Sequence, residues 1–260
     1  MKANRRSIEL VSSSVSTRPE RGAQVAAAGD RVTALDWKQI EHELDERGYA
    51  LTDRLLTTDE CADLIGLYEN RERFRSRVDM ARFRYGEGEY KYFAYPLPTI
   101  VAELRTTLYR GLAPIANRWS KALSEREQYP RSLTEYLKDC HRAGQNRPTP
   151  LLLRYQAGGY NCLHQDLYGE MAFPLQFTCL LSRRGHDYEG GESLLVEQRP
   201  RAQSRGEAIA IEQGCALIFP NRYRPVAGSR GHYRVAVRHG VSTVRSGTRH
   251  ALGIIFHDAK

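Results

Sequence analysis

The spacing of apolar residues changes near Pro150. Before this residue, apolar side chains recur every three or four positions, which is the period of an amphipathic helix. After it, short runs of alternating apolar and polar residues are separated by turns rich in glycine or proline, a pattern typical of β-strands. We therefore predict a helical part over residues 33–149 and a β-sheet core over residues 150–260.

The helical part contains several predicted helices. The first ends at Gly48, and the next begins with a capping box formed by Thr57 and Glu60. A long apolar stripe follows, in which we expect a kink at Pro114, and Ser132 caps a shorter helix. Residues 1–32 are predicted to be a flexible tail.

A segment of different character interrupts these helices. Residues 81–98 read "ARFRYGEGEYKYFAYPLP", in which aromatic and basic residues alternate on both sides of a glycine- and glutamate-rich centre. This arrangement predicts a β-hairpin with Gly86, Glu87, Gly88 and Glu89 at its tip.

The β-sheet core contains seven or eight predicted short strands in about 110 residues. Many short, evenly spaced strands favour a closed double-sheet architecture, either a jelly roll or a cupin-like barrel. The predicted fold class is therefore α+β, a double-stranded β-helix core with the N-terminal helices packed on it.

Composition narrows the class of protein. A chain of 260 residues with 41% hydrophobic residues is long enough for one sizeable core. We found no apolar run near the roughly 20 residues of a membrane span and no secretory leader, so a cytoplasmic protein without membrane contact is expected. The five cysteines are scattered without a CxxC pair, which excludes a disulfide framework or a structural zinc site from the prediction.

The basic residues are unevenly distributed. The net charge is +8, and the stretch from Arg222 to Arg249 holds seven arginines without any Asp or Glu. Such a stretch predicts a surface that attracts phosphates or other anions. The alternative is codon bias, because 33 of the 39 basic residues are arginines and many basic proteins do not bind nucleic acid.

A pair of metal-ligand residues lies in the segment "LHQDLYGE". His164 and Asp166 are two residues apart, so on extended backbone both side chains point to the same face and can share one metal ion. A pair of this kind is common by chance, and a third ligand is needed. His239 is the candidate, because it shares a strand face with Val235 and Val237.

The neighbouring histidine in the same strand is assigned differently. His232 shares its face with the arginines and is predicted to point to water. With His239 as third ligand, the set is two imidazoles and one carboxylate, the facial triad of non-heme Fe(II) oxygenases.

Arg249 follows His239 by ten residues, beyond a predicted turn "STVRSG". We expect it to share a strand face with Ala251 and Gly253, whose small side chains leave room for a ligand. A buried guanidinium needs an anion, and its planar fork suits a carboxylate such as the distal one of 2-oxoglutarate. Tyr155 is a candidate for a second contact with this cosubstrate, although a plain core tyrosine is an equal alternative.

These segments resemble a known family. "LRYQAGGYNCLHQD", "GGESLLVE", "GCALIF" and "HGVSTVRSGTRHALGIIF" are similar to the Fe(II)/2-oxoglutarate dioxygenase superfamily in its prolyl-hydroxylase-like branch. They resemble more closely a bacterial family related to the AlkB oxidative DNA demethylases, over roughly residues 80 to 260. The resemblance implies that His164, Asp166 and His239 bind iron and that Arg249 binds 2-oxoglutarate.

The same resemblance implies cofactors and partners. The cofactors would be Fe(II), 2-oxoglutarate and O2, with ascorbate as a candidate stimulant. The partner would be single-stranded or damaged DNA or RNA, and the oligomeric state is left open. The expected function is oxidative demethylation of alkylated bases, as in DNA repair.

Candidate substrate residues come mainly from the predicted hairpin, whose aromatic and basic side chains are expected to stack a flipped base and hold its phosphates. The candidates are Arg82, Arg84, Tyr85, Tyr90, Lys91 and Tyr92, together with Tyr168. Gln176 is a further residue near the substrate for which strand parity gives no decision. The alternative is that the aromatic rings pack on the barrel while the charges are solvated.

Two other functions are open at this stage. A hydroxylase of an amino-acid, peptide or protein side chain is favoured by the short spacing from His239 to Arg249, which resembles that of prolyl hydroxylases. A cupin-like binding or sensor protein without turnover is disfavoured, because such a protein does not need an anchor for a cosubstrate.

Overall fold

A computed structural model describes residues 26–166, 169–229 and 231–260. Residues 1–25 of the predicted tail and the candidate Tyr168 lie outside the described residues. The tail prediction extended too far, because Ala28–Thr33 form a helix in which Ala28 and Val32 are buried.

Five α-helices are present in the described residues. They are α1 (Ala28–Thr33), α2 (Trp37–Arg47), α3 (Thr58–Gly66), α4 (Thr99–Ala122) and α5 (Leu133–Arg142). The predicted helix ends are confirmed, because Gly48 ends α2 in the left-handed conformation and Thr57 forms a complete capping box with Glu60. Ser132 caps α5, and α4 continues through Pro114. Among the helices that the structure describes, none is long and apolar enough to cross a membrane.

Fourteen strands follow or separate these helices in the described part of the chain. They are β1 (Ala50–Leu51), β2 (Phe74–Asp79), β3 (Gly86–Glu87), β4 (Glu89–Phe93), β5 (Leu151–Gln156), β6 (Tyr160–His164), β7 (Leu175–Leu180), β8 (Tyr188–Gly190), β9 (Ser193–Gln198), β10 (Arg205–Ile209), β11 (Ala216–Pro220), β12 (Tyr223–Gly228), β13 (Gly231–Val241) and β14 (Val244–Ile255). Because β14 already begins at Val244, the turn predicted for "STVRSG" is limited to Ser242 and Thr243.

The strands form two antiparallel sheets. The large sheet has the order β1-β11-β7-β14-β5-β4-β2, with β8 paired to β14. The small sheet has the order β10-β9-β13-β6-β3, with β12 paired to β13. This is the jelly-roll core that the strand pattern predicted, and the α+β fold class is confirmed.

The large sheet has an apolar core on each side. On β14, Leu252 and Ile254 pack with the helices, whereas Ala251 and Gly253 face the space between the sheets. On β11, Leu217 and Phe219 belong to the inner cluster. Because side chains alternate along a strand, one sheet supports both the helical layer and the interior cavity.

The predicted hairpin in residues 81–98 is wrong in its pairing. Strand β4 pairs with β2 and β5 in the large sheet, whereas β3 pairs with β6 in the small sheet. The chain therefore crosses from one sheet to the other, and Gly86 and Gly88 allow this with φ values of 138° and 142°. Glu89 is not at a tip, because it is buried and forms ion pairs with Arg77 and Arg154.

The basic stretch from Arg222 to Arg249 does not form one surface. Arg224 is buried and its Nη2 lies 2.5 Å from Glu197 Oε1, and Arg249 is buried as well. Arg234 pairs with Glu125 at 2.6 Å. Strand alternation explains the difference, because it turns some of these arginines into the interior and others to solvent.

The crossing at Gly86 predicts a graded effect of Gly→Ala substitutions on stability. A Cβ at Gly86 would lie 2.3 Å from the Tyr160 carbonyl oxygen, in addition to the unfavourable positive φ. We expect Gly86→Ala to lower the free energy of unfolding by about 3 kcal/mol or more. Chemical denaturation with a two-state fit measures the loss.

Two other glycines provide matched controls for this measurement. Gly144 has φ of 79° but nothing within 4 Å of the added Cβ, so its substitution tests the backbone conformation alone and should cost about 1 kcal/mol. Gly206 has neither a positive φ nor any atom within 4 Å of an added Cβ, so Gly206→Ala should change the free energy of unfolding by less than about 0.5 kcal/mol. Equal losses for Gly86→Ala and Gly144→Ala would contradict the role of the close approach to Tyr160.

Candidate active site

A cavity of about 460 Å³ lies between the two sheets. Its walls come from β4, β5, β7, β11 and β14 of the large sheet and from β6, β9 and β13 of the small sheet. Arg84 and Tyr85, in the turn that precedes β3, are exposed to solvent and form part of its lining.

The three predicted metal ligands meet in this cavity. Strands β13 and β6 pair with His239 directly opposite His164, and Asp166 follows β6 by two residues. The His239 Nε2 atom lies 3.1 Å from Asp166 Oδ2, and the His164 Nε2 atom lies 3.6 Å from Asp166 Oδ1. One ligand atom from each residue lies within 4.8 Å of the others, so the three residues fit a single metal ion.

The backbone orients the imidazole of His164. Its Nδ1 atom is 2.8 Å from the Cys162 carbonyl oxygen, which can only accept, so Nδ1 carries the proton and Nε2 presents its lone pair. Burial and the nearby His239 lower the pKa of His164 below its usual value. Both effects favour the neutral imidazole, which is the form that binds metals.

The alternation along β13 places the two histidines of that strand on opposite sides. Val235 and Val237 are buried, and His239 shares their face and lines the cavity. His232 is exposed on the other face. These are the sides on which the sequence pattern predicted them.

Arg249 lies across the cavity on β14, opposite Tyr155 on β5. Its side chain is 2% exposed, and among the described residues no carboxylate forms an ion pair with it. The Nη2 atom donates to Ser193 Oγ at 3.5 Å, and Nε has no hydrogen-bond partner. A buried guanidinium in this state fits a ligand that brings an anionic group.

Tyr155 adds a second polar group at the same place. The residue is fully buried, and its hydroxyl has no hydrogen-bond partner in the described part of the chain. Burial raises the pKa of Tyr155 to about 12, although Arg249 opposes the rise. The hydroxyl therefore stays protonated and is able to donate to an acceptor in the cavity.

The structure brings four of the predicted substrate residues to the cavity. Arg84, Tyr85, Tyr90 and Tyr92 are all in its lining. The rings of Tyr90 and Tyr92 meet edge to face with their centroids 5.4 Å apart, so they form one aromatic wall.

Two other predicted substrate residues are not in the cavity lining. Lys91 lies between Tyr90 and Tyr92 on β4, so strand alternation turns it to the opposite face. There its Nζ atom donates to the Tyr68 carbonyl oxygen at 2.7 Å and lies 4.1 Å from the centroid of that ring. Arg82 is exposed on the 3-10 turn Ala81–Phe83, outside the cavity lining.

Two cavity residues near His239 were not assigned from sequence. The Gln176 amide nitrogen lies 3.3 Å from His239 Nε2, and the Phe219 ring centroid is 4.9 Å from that of His239. Gln176 stands among apolar neighbours on both sides in β7, so alternation of polar and apolar residues gave no direction for it. The pairing of β7 with β11 and β14, which sequence does not show, fixes its side.

Comparison with protein-family models identifies one family. Residues 88–259 match Oxygenase-NA, described as an oxygenase catalysing oxidative methylation of damaged DNA. Two uncharacterized proteins of Mycobacterium tuberculosis, from strains CDC 1551 / Oshkosh and ATCC 25618 / H37Rv, are each 52% identical to this chain over 167 residues. The aligned region covers 64% of this chain and 72% of each relative.

Solved structures with a similar fold include two bacterial enzymes. A Pseudomonas putida prolyl-4-hydroxylase has a TM-score of 0.52 at 13% identity, over 86% of this chain and 100% of that chain. An oxidoreductase of the 2OG-Fe(II) oxygenase family from Burkholderia pseudomallei has a TM-score of 0.52 at 14% identity, over 86% and 92% of the two chains. At these identities the likeness establishes the fold alone.

The position of the two β13 histidines predicts their effect on metal binding. We expect His239→Ala to weaken binding by more than the roughly 10- to 100-fold that loss of a supporting partner costs, because a direct ligand is removed. His232→Ala should leave the affinity for the metal ion and the number of ions bound per chain unchanged. Anaerobic calorimetry with Fe(II), repeated with air-stable Mn(II), measures both, and equal weakening in the two variants would refute the assignment.

Proposed function

The chain belongs to the Oxygenase-NA family, and from that premise we propose that it demethylates alkylated bases of nucleic acids with ferrous iron and 2-oxoglutarate. The observation that carries the proposal is one cavity that holds both the His-Asp-His group and an unpaired buried arginine. The description of the family, which names damaged DNA, supports the substrate class.

His164, Asp166 and His239 would hold the iron. Two imidazoles and one carboxylate would bind the ion and leave it open to further ligands, such as the cosubstrate and O2. When bound, iron, O2 and 2-oxoglutarate supply the oxidation, in which 2-oxoglutarate becomes succinate and CO2 and one oxygen atom enters a substrate C–H bond. A hydroxylated N-methyl carbon then leaves as formaldehyde and the base nitrogen recovers its proton.

Arg249 and Tyr155 would orient the cosubstrate. The guanidinium would offer its unpaired Nε–H group to the distal carboxylate, and the Tyr155 hydroxyl would donate from the neighbouring strand. Both groups are already in place on paired strands, so little ordering is needed when the ligand binds. The protein would thus supply ligation and orientation.

The aromatic wall would receive the base. Tyr85, Tyr90 and Tyr92 line the cavity and offer ring faces and edges to a planar group, while Arg84 lies in the same lining and carries a positive charge. A base inside a duplex is covered on both faces by its neighbours, so entry into this cavity requires an unpaired or flipped base.

A hydroxylase of peptide or amino-acid side chains is the second candidate. The ten-residue spacing from His239 to Arg249 favours it, because the sequence resembles prolyl hydroxylases at that point. The two functions share every role proposed for the metal ligands and for Arg249, and they differ only in what enters the aromatic-walled part of the cavity.

Product analysis distinguishes the two functions. With Fe(II), 2-oxoglutarate and O2, a single-stranded oligonucleotide carrying N-methylated bases should release formaldehyde and form an equal amount of succinate, at a rate that falls steeply with salt. The same strand without methyl groups is the control. A strand with 5-methylcytosine should release no formaldehyde, because a hydroxymethyl group on carbon is stable whereas one on nitrogen is lost. Succinate formation that depends on a peptide, without any formaldehyde from N-methylated strands, would favour the hydroxylase.

The unpaired charge of Arg249 predicts opposite effects on stability and ligand binding. Arg249→Met removes a buried charge at similar volume, so the free energy of unfolding of the ligand-free protein should not decrease. At 100 times the dissociation constant, 2-oxoglutarate should stabilise the wild-type protein by about 2.7 kcal/mol, and this gain should be lost in the variant. Thermal unfolding with and without 2-oxoglutarate measures both effects.

Two further variants complete that test. Arg249→Lys keeps the positive charge but loses the planar guanidinium that can contact a carboxylate at two points. It should weaken 2-oxoglutarate binding at least about tenfold. Arg245→Met changes an exposed arginine of the same strand and should leave binding unchanged. If Arg249→Met destabilises the ligand-free protein but binds 2-oxoglutarate normally, the guanidinium has a structural role instead.

A further inference from the structure

Two large aromatic side chains are exposed beside the cavity. Phe83 is 56% exposed and Tyr85 is 49% exposed, and their rings are stacked with centroids 5.6 Å apart and planes at 21°. Leu163, which is 44% exposed, lies in the cavity lining with Tyr85. Adjoining exposed apolar groups of this size mark a binding surface.

The backbone holds these rings in place. Met80 is fully buried, its N–H donates to the Gly88 carbonyl oxygen at 3.0 Å, and its carbonyl oxygen accepts from Phe83 and Tyr85. The Tyr85 carbonyl oxygen in turn accepts from the Cys162 N–H at 2.8 Å. The turn is thus anchored at both ends, and the exposure of its rings is built into the fold.

Two arginines flank the rings in the order Arg82, Phe83, Arg84, Tyr85. Both arginines are exposed, and within the described ranges neither forms an ion pair with a carboxylate. The nearest carboxylates in sequence are Asp79, which accepts from the Ala81 N–H, and Glu87, which lies on β3 beyond Gly86. We call Phe83, Tyr85 and Leu163 with Arg82 and Arg84 the rim platform.

The order of the two rings relates the rim platform to the cavity. Tyr85 is part of the cavity lining, whereas Phe83 is not, so Phe83 is the outer member of the stack. A base in the cavity would meet Tyr85, and the next group along an extended strand would reach Phe83. The flanking arginines carry the charge that a phosphate backbone requires.

We propose that the rim platform binds the unpaired nucleotide next to the base in the cavity, with that neighbour stacked on Phe83 and its phosphates near Arg82 and Arg84. The proposal rests on the function proposed above and makes a single strand, not a free nucleotide, the preferred substrate. A duplex is disfavoured because both faces of each of its bases are already stacked. A bound peptide strand is a poorer match, because the adjoining edge strand β3 has only two residues to pair with it.

Binding of an unmethylated probe tests the rim platform without turnover. The probe is a fluorescein-labelled oligothymidylate, measured by anisotropy with protein loaded with Mn(II) and 2-oxoglutarate. Phe83→Ala should weaken binding about 5- to 150-fold, as expected for loss of one stacked base, and Phe83→Trp should restore it. Leu51→Ala, at a residue that is 39% exposed and outside the cavity lining, is the matched control and should have no effect.

Salt dependence and a modified strand test the geometry. Arg82→Ala and Arg84→Asn should each make the slope of log affinity against log salt concentration shallower, by the amount expected for the loss of about one phosphate contact. On the methylated substrate strand, an abasic neighbour beside the methylated base should raise KM as much as Phe83→Ala does. The Phe83→Ala variant assayed with the abasic strand should show no further rise in KM, because each change alone removes the stacking of the neighbouring base on Phe83.

The outcomes separate this proposal from the proposed function. Wild-type affinity in Phe83→Ala, tighter binding of duplex than of single strand, or a methylated mononucleotide used as efficiently as a strand would each overturn the rim platform, even if formaldehyde is released. Loss of affinity for a labelled peptide but not for the oligonucleotide would overturn it as well. If the oligonucleotide results are as expected but no methylated strand releases formaldehyde, the proposed reaction fails and the rim platform stands.

Discussion

The register of β13 against its neighbours determines whether the site exists. His239 is directly opposite His164 on β6 and opposite Leu195 on β9, so the strand is held from both sides. A slip by one residue would turn His239 out of the cavity and bring an arginine in, because side chains alternate along a strand. The buried Val235 and Val237 oppose that slip, since it would expose them. Burial of two valines therefore helps to position the candidate metal ligand His239.

The three most buried arginines of the described chain clarify the role of Arg249. Arg105 is 1% exposed and pairs with Asp258 at 2.9 Å, and Arg224 is 1% exposed and pairs with Glu197. Arg249 is about equally buried, yet it lines the cavity, and no carboxylate of the described residues forms an ion pair with it. An unpaired charge in the interior costs stability, so its retention is best explained by a ligand that brings the opposite charge. This contrast within one molecule supports the proposed role of Arg249 in binding 2-oxoglutarate.

Much of the fold and of the site could be predicted from sequence where the governing interactions are local. The capping box at Thr57 and the alternation around Val235 depend on neighbours within a few residues, and both were predicted. The hairpin prediction failed because the aromatic pattern of residues 81–98 does not show that β3 and β4 belong to different sheets. Lys91 was misplaced for a different reason, because alternation along β4 turns it away from the face that Tyr90 and Tyr92 share. Pairing between distant strands is the information that a single sequence lacks.

The candidate metal site and the rim platform occupy different parts of the architecture. The three candidate metal ligands and Arg249 lie on or just after strands with neighbours on both sides, whereas the turn with Phe83 and Tyr85 leads into β3, an edge strand of the small sheet. Edge segments accept changes in length and composition with less disturbance than central strands do. Between the anchoring residues Met80 and Gly86, the exposed side chains of this turn are therefore the positions at which an engineer can redesign substrate choice while the hydrogen-bonded backbone is kept.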